Sequence, residues 1–220
     1  MTRSRGILFD FNGVIVDDEP QHCAALIATL AEHDVVLEPA AYFRDYLGYD
    51  DRGCFVRAWS EAGRTLTDTI LRLLVKRKSE RYQQAIRGSL ALVPGAKEFV
   101  HTAVAEGLIL GVVSGALRRE IELVLDVVDL TRRFSSIVAA EDVANCKPDP
   151  EGYRKGLTAL GLSAGDVVVI EDSLPGLVAA RGAGLRCAML TTSHERDELT
   201  GADLVWDDLA GRRPAELPWT

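Results

Sequence analysis

The stretch Ile7-Leu8-Phe9-Asp10-Phe11-Asn12-Gly13 decides the fold and supplies the first candidate for chemistry. A short apolar run stops at the carboxylate of Asp10, and a glycine turn follows. This pattern predicts a buried strand with Asp10 at its carboxyl end, which is where open α/β sheets bind their ligands. A carboxylate in that position can be a nucleophile or a metal ligand. Two residues later, at Asn12, the chain has an amide where a second acid would be useful.

Similar β-branched runs recur along the chain, and each ends in small or polar residues. They are continuous apolar segments, which is typical of a parallel sheet covered on both faces. Segments with helical patterns lie between them, so the alternation predicts βαβ units and an α/β fold with a Rossmann-like, doubly wound parallel sheet. The predicted strands are 6–9, 108–113, 136–139, 167–170, 187–190 and 204–206, and the predicted helices are 96–106, 118–128, 151–160 and 177–181.

The segment from residue 17 to about residue 88 breaks this alternation because it contains no convincing strand. Helical patterns cover 20–33, 40–47, 52–61 and 67–86. We therefore expect an inserted helical cap domain at residues 17–88. The Rossmann-like catalytic core would then consist of residues 1–16 and 89–220.

Charge and cysteine usage narrow the functional classes. The chain has 25 Lys and Arg against 33 Asp and Glu, a formal net charge of −8, which argues against a nucleic-acid or anionic-membrane surface. No apolar run approaches the roughly 20 residues of a membrane span, and the first residues lack a signal-peptide pattern. The four cysteines form no C-x-x-C pair, as expected for free thiols in a reducing cytosol. We expect a cytoplasmic monomer that binds neither nucleic acid nor membranes.

Polar residues stand at or just beyond several predicted strand ends, and a parallel sheet would bring them to one edge. A carboxylate nucleophile, a hydroxyl, an ammonium and a carboxylate pair could surround one phosphate there. The carboxylates would suit Mg²⁺, which prefers hard oxygen ligands. The hydroxyl and the ammonium would bind the phosphoryl oxygens. These residues are Asp10 with Asn12, Ser114, Lys147 and the pair Glu171-Asp172.

With these motifs in this order, the chain resembles the haloacid dehalogenase superfamily. Within it, the chain is similar to the phosphatases and β-phosphoglucomutase-like members that carry a helical cap after the first strand. The resemblance extends over essentially the whole chain. The motifs are Asp10-x-Asn12-Gly13, Ser114, Lys147-Pro148, and Glu171-Asp172 followed by Ser173-x-x-Gly176-x-x-Ala179-Ala180.

The resemblance implies a Mg²⁺-dependent phosphatase or phosphotransferase acting on a small phosphorylated metabolite. Asp10 would form an aspartyl-phosphate, and Ser114 and Lys147 would hold the phosphate. Gly13 and Gly115 would contribute to substrate binding. The implied Mg²⁺ ligands are the Asp10 side chain, the Asn12 backbone carbonyl and Asp172, with Glu171 as a further candidate.

Asn12 departs from the pattern of the family. Hydrolytic members usually carry Asp there, which protonates the leaving oxygen and then activates the attacking water. An amide keeps the backbone ligand but cannot shuttle a proton, and such general acid–base help is typically worth about 10²–10⁴-fold. Asn12 therefore indicates lower turnover, another proton route or a laboratory substitution. A sugar phosphate mutase and a weakly catalytic phospho-ligand binder remain alternatives. Metal-independent dehalogenation is disfavoured by the Glu171-Asp172 pair.

Three cations stand out in the expected cap: His22, Arg52 and Lys78. By resemblance to β-phosphoglucomutase-like members, His22 would help to relay the acid/base proton. Arg52 and Lys78 would contact a distal phosphate, which favours a substrate with a second anionic end. The alternative interpretation is that Arg52 and Lys78 belong to the solvated face of amphipathic helices, and that His22 is an ordinary helix residue.

Overall fold

The computed structural model describes residues 4–47, 49–87 and 90–219. The chain divides into two compact units. The core unit consists of Met1–Asp17 and Leu92–Thr220, and the cap unit of Asp18–Ala91. The predicted domain boundary between residues 88 and 89 lies outside the described residues.

The core unit contains a parallel sheet of six strands in the order β5-β4-β1-β6-β7-β8. From the central β1 the chain continues to β4 and β5 on one side, and then to β6, β7 and β8 on the other. This is the doubly wound arrangement, and the predicted α/β fold is confirmed. The strands of the chain are β1 (Gly6–Phe9), β2 (Val16–Asp17), β3 (Ala91–Leu92), β4 (Ile109–Val113), β5 (Ser136–Val138), β6 (Val167–Glu171), β7 (Arg186–Leu190) and β8 (Leu204–Trp206).

The register of the sheet brings the polar strand ends together. Phe9, the last residue of β1, lies opposite Val112 in β4 and Ile170 in β6. The backbone N–H of Asp10 continues this pairing by donating to the carbonyl of Ile170 at 2.9 Å. Because β1 and β6 are buried along their whole length, the first polar groups after each strand meet at the same edge of the sheet.

All eight helices in the described part of the chain begin and end within three residues of the predicted bounds. The largest difference is at α8, which begins at Leu174 because the Ser173 hydroxyl caps it, accepting the Gly176 N–H at 3.2 Å. The two-residue strands β2 and β3 were not predicted, since they are too short to show a periodic pattern. The helices are α1 (Glu19–Ala31), α2 (Pro39–Asp45), α3 (Asp51–Glu61), α4 (Asp68–Ile86), α5 (Ala96–Ala105), α6 (Arg118–Val127), α7 (Glu151–Leu160) and α8 (Leu174–Gly182).

The cap unit is built from α1 to α4 around a small apolar core of its own. Leu26, Phe55, Trp59 and Leu74 are buried there, on the inward faces that a helical period of 3.6 residues produces. Among the described residues of the whole chain, no helix combines the length and the apolar composition that crossing a membrane requires.

Candidate active site

A compact ionic cluster occupies the sheet edge where β1 and β6 end. The Nζ of Lys147 lies 2.8 Å from Oδ1 of Asp10 and 2.6 Å from Oε1 of Glu171. Asp172 joins them, because one carboxylate oxygen from each of the three acids lies within 4.8 Å of the others. The structure thus brings four of the predicted site residues together.

Glu171 is the most firmly held member of this cluster. Its side chain is fully buried, and Oε1 accepts hydrogen bonds from the Lys147 ammonium at 2.6 Å and from the phenol of Tyr153 at 2.7 Å. Oε2 accepts the backbone N–H groups of Asp172 and Ser173, both at 3.1 Å. Because protein donors occupy both oxygens, the geometry favours Glu171 as the anchor of Lys147, and leaves Asp10 and Asp172 as the better-placed metal ligands.

The electrostatics of the cluster are unbalanced in favour of negative charge. Three carboxylates face one ammonium, a formal charge of −2. Burial and the charge of Glu171 raise the pKa of Asp10 to about 7, although Lys147 acts in the opposite direction. Burial, Glu171 and Asp10 raise the pKa of Asp172 well above its usual range. Burial acts to lower the pKa of Lys147, but its two carboxylate partners outweigh this effect and raise it.

The donor set fits a divalent cation. Clustered carboxylate oxygens are the hard ligands that Mg²⁺ prefers, and a bound dication would offset the excess negative charge. Gly13 makes room for this arrangement, since a Cβ at that position would lie 2.0 Å from Oδ2 of Asp172. Gly13 also has a positive φ of 72°, a conformation that glycine adopts without steric cost. Asn12 lies between Asp10 and Gly13, half-buried, and its backbone bridges to Val16.

Ser114 and Gly115 follow β4, the strand adjacent to β1. Ser114 is buried, its N–H donates to the carbonyl of Val138 at 2.9 Å, and its hydroxyl oxygen accepts the N–H of Ala116 at 3.0 Å. Gly115 is half-buried. Both residues therefore stand at the carboxyl end of a strand next to β1, as predicted.

Sequence reasoning missed three residues that contact this cluster or the loop after β1. Tyr153, on α7, is buried and donates to Glu171, and nothing in its spacing indicates this role. Thr192 and Ser193 follow β7, and their hydroxyls donate to the carbonyl of Gly13 at 2.6 Å and to Oδ2 of Asp172, respectively. The rule that strand ends carry site residues, applied to β7, would have pointed to this turn.

The cap unit contains a second polar cluster, formed by two of its three predicted residues. The Nζ of Lys78 contacts Nδ1 of His22 and lies 2.7 Å from Oδ1 of Asp51. Nε2 of His22 lies 3.4 Å from Oδ2 of Asp18, which also accepts a hydrogen bond from the phenol of Tyr82. His22 and Lys78 are buried, so the solvated-face interpretation is wrong for Lys78.

His22 and Arg52 differ in burial and in their charged neighbours. Burial and Lys78 act to lower the pKa of His22, but the carboxylates of Asp18 and Glu19 outweigh them and raise it above its ordinary value. Arg52, on α3, is exposed. Within residues 4–47, 49–87 and 90–219 its side chain is in no ion pair, so the structure does not bring it into the polar cluster of His22 and Lys78.

Comparison with known proteins gives a consistent set of relatives. The family model described as haloacid dehalogenase-like hydrolase matches residues 7–190. The validoxylamine A 7′-phosphate phosphatase of Streptomyces hygroscopicus subsp. limoneus is 28% identical over 203 residues, which is 92% of each chain. Protein CbbY of Rhodobacter capsulatus is 27% identical over 97% of each chain. A phosphoglycolate phosphatase of Caulobacter vibrioides is 28% identical over 90% of this chain and 85% of its own.

Solved structures show the same architecture. The crystal structure of CbbY from Rhodobacter sphaeroides in complex with phosphate has a TM-score of 0.87 and 27% identity, covering 96% of this chain and 98% of that one. A mutant of the same protein in complex with xylulose-(1,5)bisphosphate has a TM-score of 0.88 at the same identity and coverage.

Proposed function

Because the chain belongs to the haloacid dehalogenase-like hydrolase family, we propose that it is a Mg²⁺-dependent phosphatase acting on a small phosphorylated metabolite. The membership confirms the resemblance found in the sequence and makes the protein a hydrolase. The observation that carries the finer proposal is the position of Lys147, which joins Asp10 to Glu171 beside Asp172. A nucleophile, a phosphate-binding cation and a metal-binding carboxylate are thereby within reach of one phosphoryl group.

Asp10 carries the covalent chemistry in this proposal. Its carboxylate oxygen attacks the phosphorus of the ester, the bond to the leaving oxygen breaks, and an aspartyl-phosphate forms. Water then cleaves this acyl phosphate, which releases inorganic phosphate and regenerates the Asp10 carboxylate. Lys147 orients Asp10 and offsets charge on the phosphoryl oxygens, and the Ser114 hydroxyl binds one of them. Mg²⁺, held by Asp10, Asp172 and the carbonyl of Asn12, supplies further positive charge when bound.

Asn12 determines how fast this chemistry proceeds. The leaving oxygen must gain a proton and the attacking water must lose one, and an amide side chain can do neither. In the proposed mechanism a buffer or solvent water provides these transfers, so turnover is low. The second candidate function, a phospho-ligand binder with negligible turnover, is favoured by the same residue, since Asn12 stands in a site that is otherwise complete.

The cap unit supports a proposal about the rest of the substrate. By resemblance, His22 would help to relay the acid/base proton, and Arg52 and Lys78 would contact a second, distal phosphate of the metabolite. The ion pair of Lys78 with Asp51 reduces the positive charge that Lys78 offers, so Arg52 is the stronger candidate for a second anionic end. A mutase, the alternative, would convert a sugar phosphate into its isomer, whereas a phosphatase releases inorganic phosphate.

The decisive experiment compares this protein with its Asn12→Asp variant. The relatives are named for different phosphate esters at nearly equal identity, so a panel is required: phosphoglycolate, xylulose 1,5-bisphosphate, validoxylamine A 7′-phosphate and common sugar phosphates. Phosphate release is measured with Mg²⁺ and with EDTA. We expect Mg²⁺-dependent release that rises about 10²–10⁴-fold in Asn12→Asp. Binding of an ester without turnover in either protein would support the phospho-ligand binder. Formation of an isomer without release of phosphate would support the mutase.

Two further proposals concern the state of the protein. We propose that it is a monomer in the cytoplasm. The four cysteines are free and three of them are buried, which is compatible with a reducing compartment. Light scattering on the purified protein tests the monomer, and fractionation of the source cells tests the location.

A further inference from the structure

The turn after β7, residues 191–193, contacts both loops that carry the candidate active site. Thr192 Oγ1 donates a hydrogen bond to the carbonyl of Gly13, in the loop after β1, at 2.6 Å. Ser193 Oγ donates to Oδ2 of Asp172, in the loop after β6. Two adjacent hydroxyls therefore contact two loops, those of Gly13 and Asp172, that lie far apart in the sequence.

The second contact fixes the orientation of the Asp172 carboxylate. Oδ2 packs against the bare Cα of Gly13, where a Cβ would lie only 2.0 Å away, and it also receives the Ser193 hydroxyl. With Oδ2 held from both sides, rotation of the carboxylate is restricted and Oδ1 is the oxygen left for a cation.

The first contact acts on the backbone of the facing loop. The carbonyl of Gly13 belongs to the residue that follows Asn12, whose own carbonyl is a proposed Mg²⁺ ligand. A hydroxyl that holds Gly13 therefore limits movement of the neighbouring peptide unit. Partners in the outer shell of a metal site orient its ligands in this way, and their removal typically costs about 10–100-fold in metal affinity or activity.

We propose that Thr192 and Ser193 are positioning residues that set the Mg²⁺ affinity of the site. The inference rests on the proposed function only for the presence of the metal site, and it does not require that any ester is hydrolysed. Neither residue touches the reacting atoms. Their effect is transmitted through Asp172 and through the loop that contains Asn12 and Gly13.

Titration calorimetry with Mg²⁺ tests this proposal on the full-length protein. We expect the Kd for Mg²⁺ to rise about 10-fold in Ser193→Ala and by a smaller factor in Thr192→Val. Ser193→Thr, which keeps the hydroxyl, should bind Mg²⁺ nearly as well as the unchanged protein. The matched control is Thr191→Val in the same turn, because the hydroxyl of Thr191 lies 3.4 Å from Oδ1 of Asp207 and not in the site. Its Kd should stay within about a factor of two.

Kinetics add a second readout where hydrolysis is measurable. The Mg²⁺ concentration that gives half of the maximal rate should rise in Ser193→Ala, while kcat at saturating Mg²⁺ changes little. Unfolding in EDTA shows whether the variants are folded. If Ser193→Ala does not fold, the comparison of Thr192→Val, Ser193→Thr and Thr191→Val decides the question.

The outcomes separate this inference from the proposed function. An unchanged Kd in Ser193→Ala, or an equal change in Thr191→Val, would overturn the inference, and so would absence of Mg²⁺ binding to the unchanged protein. If Mg²⁺ binding depends on Ser193 but no phosphate ester is hydrolysed, even by Asn12→Asp, the inference stands and the phosphatase proposal fails.

Discussion

Replacing Lys147 with methionine would leave the buried carboxylates of the site without their ammonium partner. Lys147 is 12% exposed and lies 2.8 Å from Asp10 and 2.6 Å from Glu171. With an effective dielectric constant of about 20, each contact has a Coulomb attraction of about 6 kcal/mol. Desolvation of the ammonium offsets much of this, and removal of one partner from a buried ion pair costs about 3–5 kcal/mol. We therefore expect the metal-free free energy of unfolding to fall by about 3–5 kcal/mol in Lys147→Met.

Urea denaturation in EDTA, followed by circular dichroism, measures this loss by linear extrapolation. Lys155→Met is the matched control, because Lys155 lies 2.6 Å from Oε1 of Glu151 but is 48% exposed. Exposed ion pairs contribute at most about 1 kcal/mol, so the control should lose far less stability than Lys147→Met. The two variants make the same chemical change, and they differ in burial and in the number of carboxylates that the ammonium contacts.

Mg²⁺ gives the experiment a second arm. A divalent cation in the carboxylate cluster should recover part of the stability that Lys147→Met loses, because it supplies positive charge at the same place. The stability difference between Lys155→Met and the unchanged protein should not depend on Mg²⁺. If Lys147→Met loses no more stability in EDTA than Lys155→Met, the charge balance described for this site is wrong.

Three further predictions use the same measurements. Gly13→Ala should abolish Mg²⁺ binding in calorimetry because its Cβ would lie 2.0 Å from Asp172 Oδ2. The control Gly107→Ala, with a φ of 80° and no atom within 4 Å of its Cβ, should lose only about 1–2 kcal/mol to backbone strain. Tyr153→Phe removes a hydrogen bond to a charged group and should lower the free energy of unfolding by about 1.5–3 kcal/mol. In metal-free protein the pKa of Asp10 is raised from 3.8 to about 7, so the folded state binds more protons than the unfolded state between these values. Ionisation of Asp10 therefore lowers stability as pH rises. Asp10→Asn should gain stability relative to the unchanged protein from about pH 4 to 7 in urea titrations, and a constant difference would contradict the prediction.

Two parts of the site that the sequence predicted share one property. Asp10 and the pair Glu171-Asp172 stand where an uninterrupted buried strand ends, and both features are visible in a single local segment. In a parallel sheet these ends share an edge, so their proximity follows from the topology. Lys147 was identified by its motif. Its ion pairs with Asp10 and Glu171 are visible only in the folded structure.

The parts that were not predicted depend on contacts between distant segments. Tyr82 donates to Asp18 across 64 positions in the cap unit, and Ser193 reaches Asp172 across 21 positions in the core unit. A serine or a tyrosine has no distinctive pattern around it, since the same residue types cap helices and fill cores throughout a protein. Only the packing of the elements shows which hydroxyl faces a carboxylate.

The charge balance of the site gives Asn12 a physical meaning beyond a missing proton shuttle. Three carboxylates already face one ammonium, a formal charge of −2 in metal-free protein, and an aspartate at position 12 would add a negative charge two residues from Asp10. Like charges at close range destabilise one another. The amide of Asn12 avoids this cost and keeps the backbone carbonyl that is proposed as a Mg²⁺ ligand. Asn12→Asp should therefore increase the rate and decrease metal-free stability. The change in rate reports the contribution of proton transfer, and the change in metal-free stability reports the electrostatic repulsion.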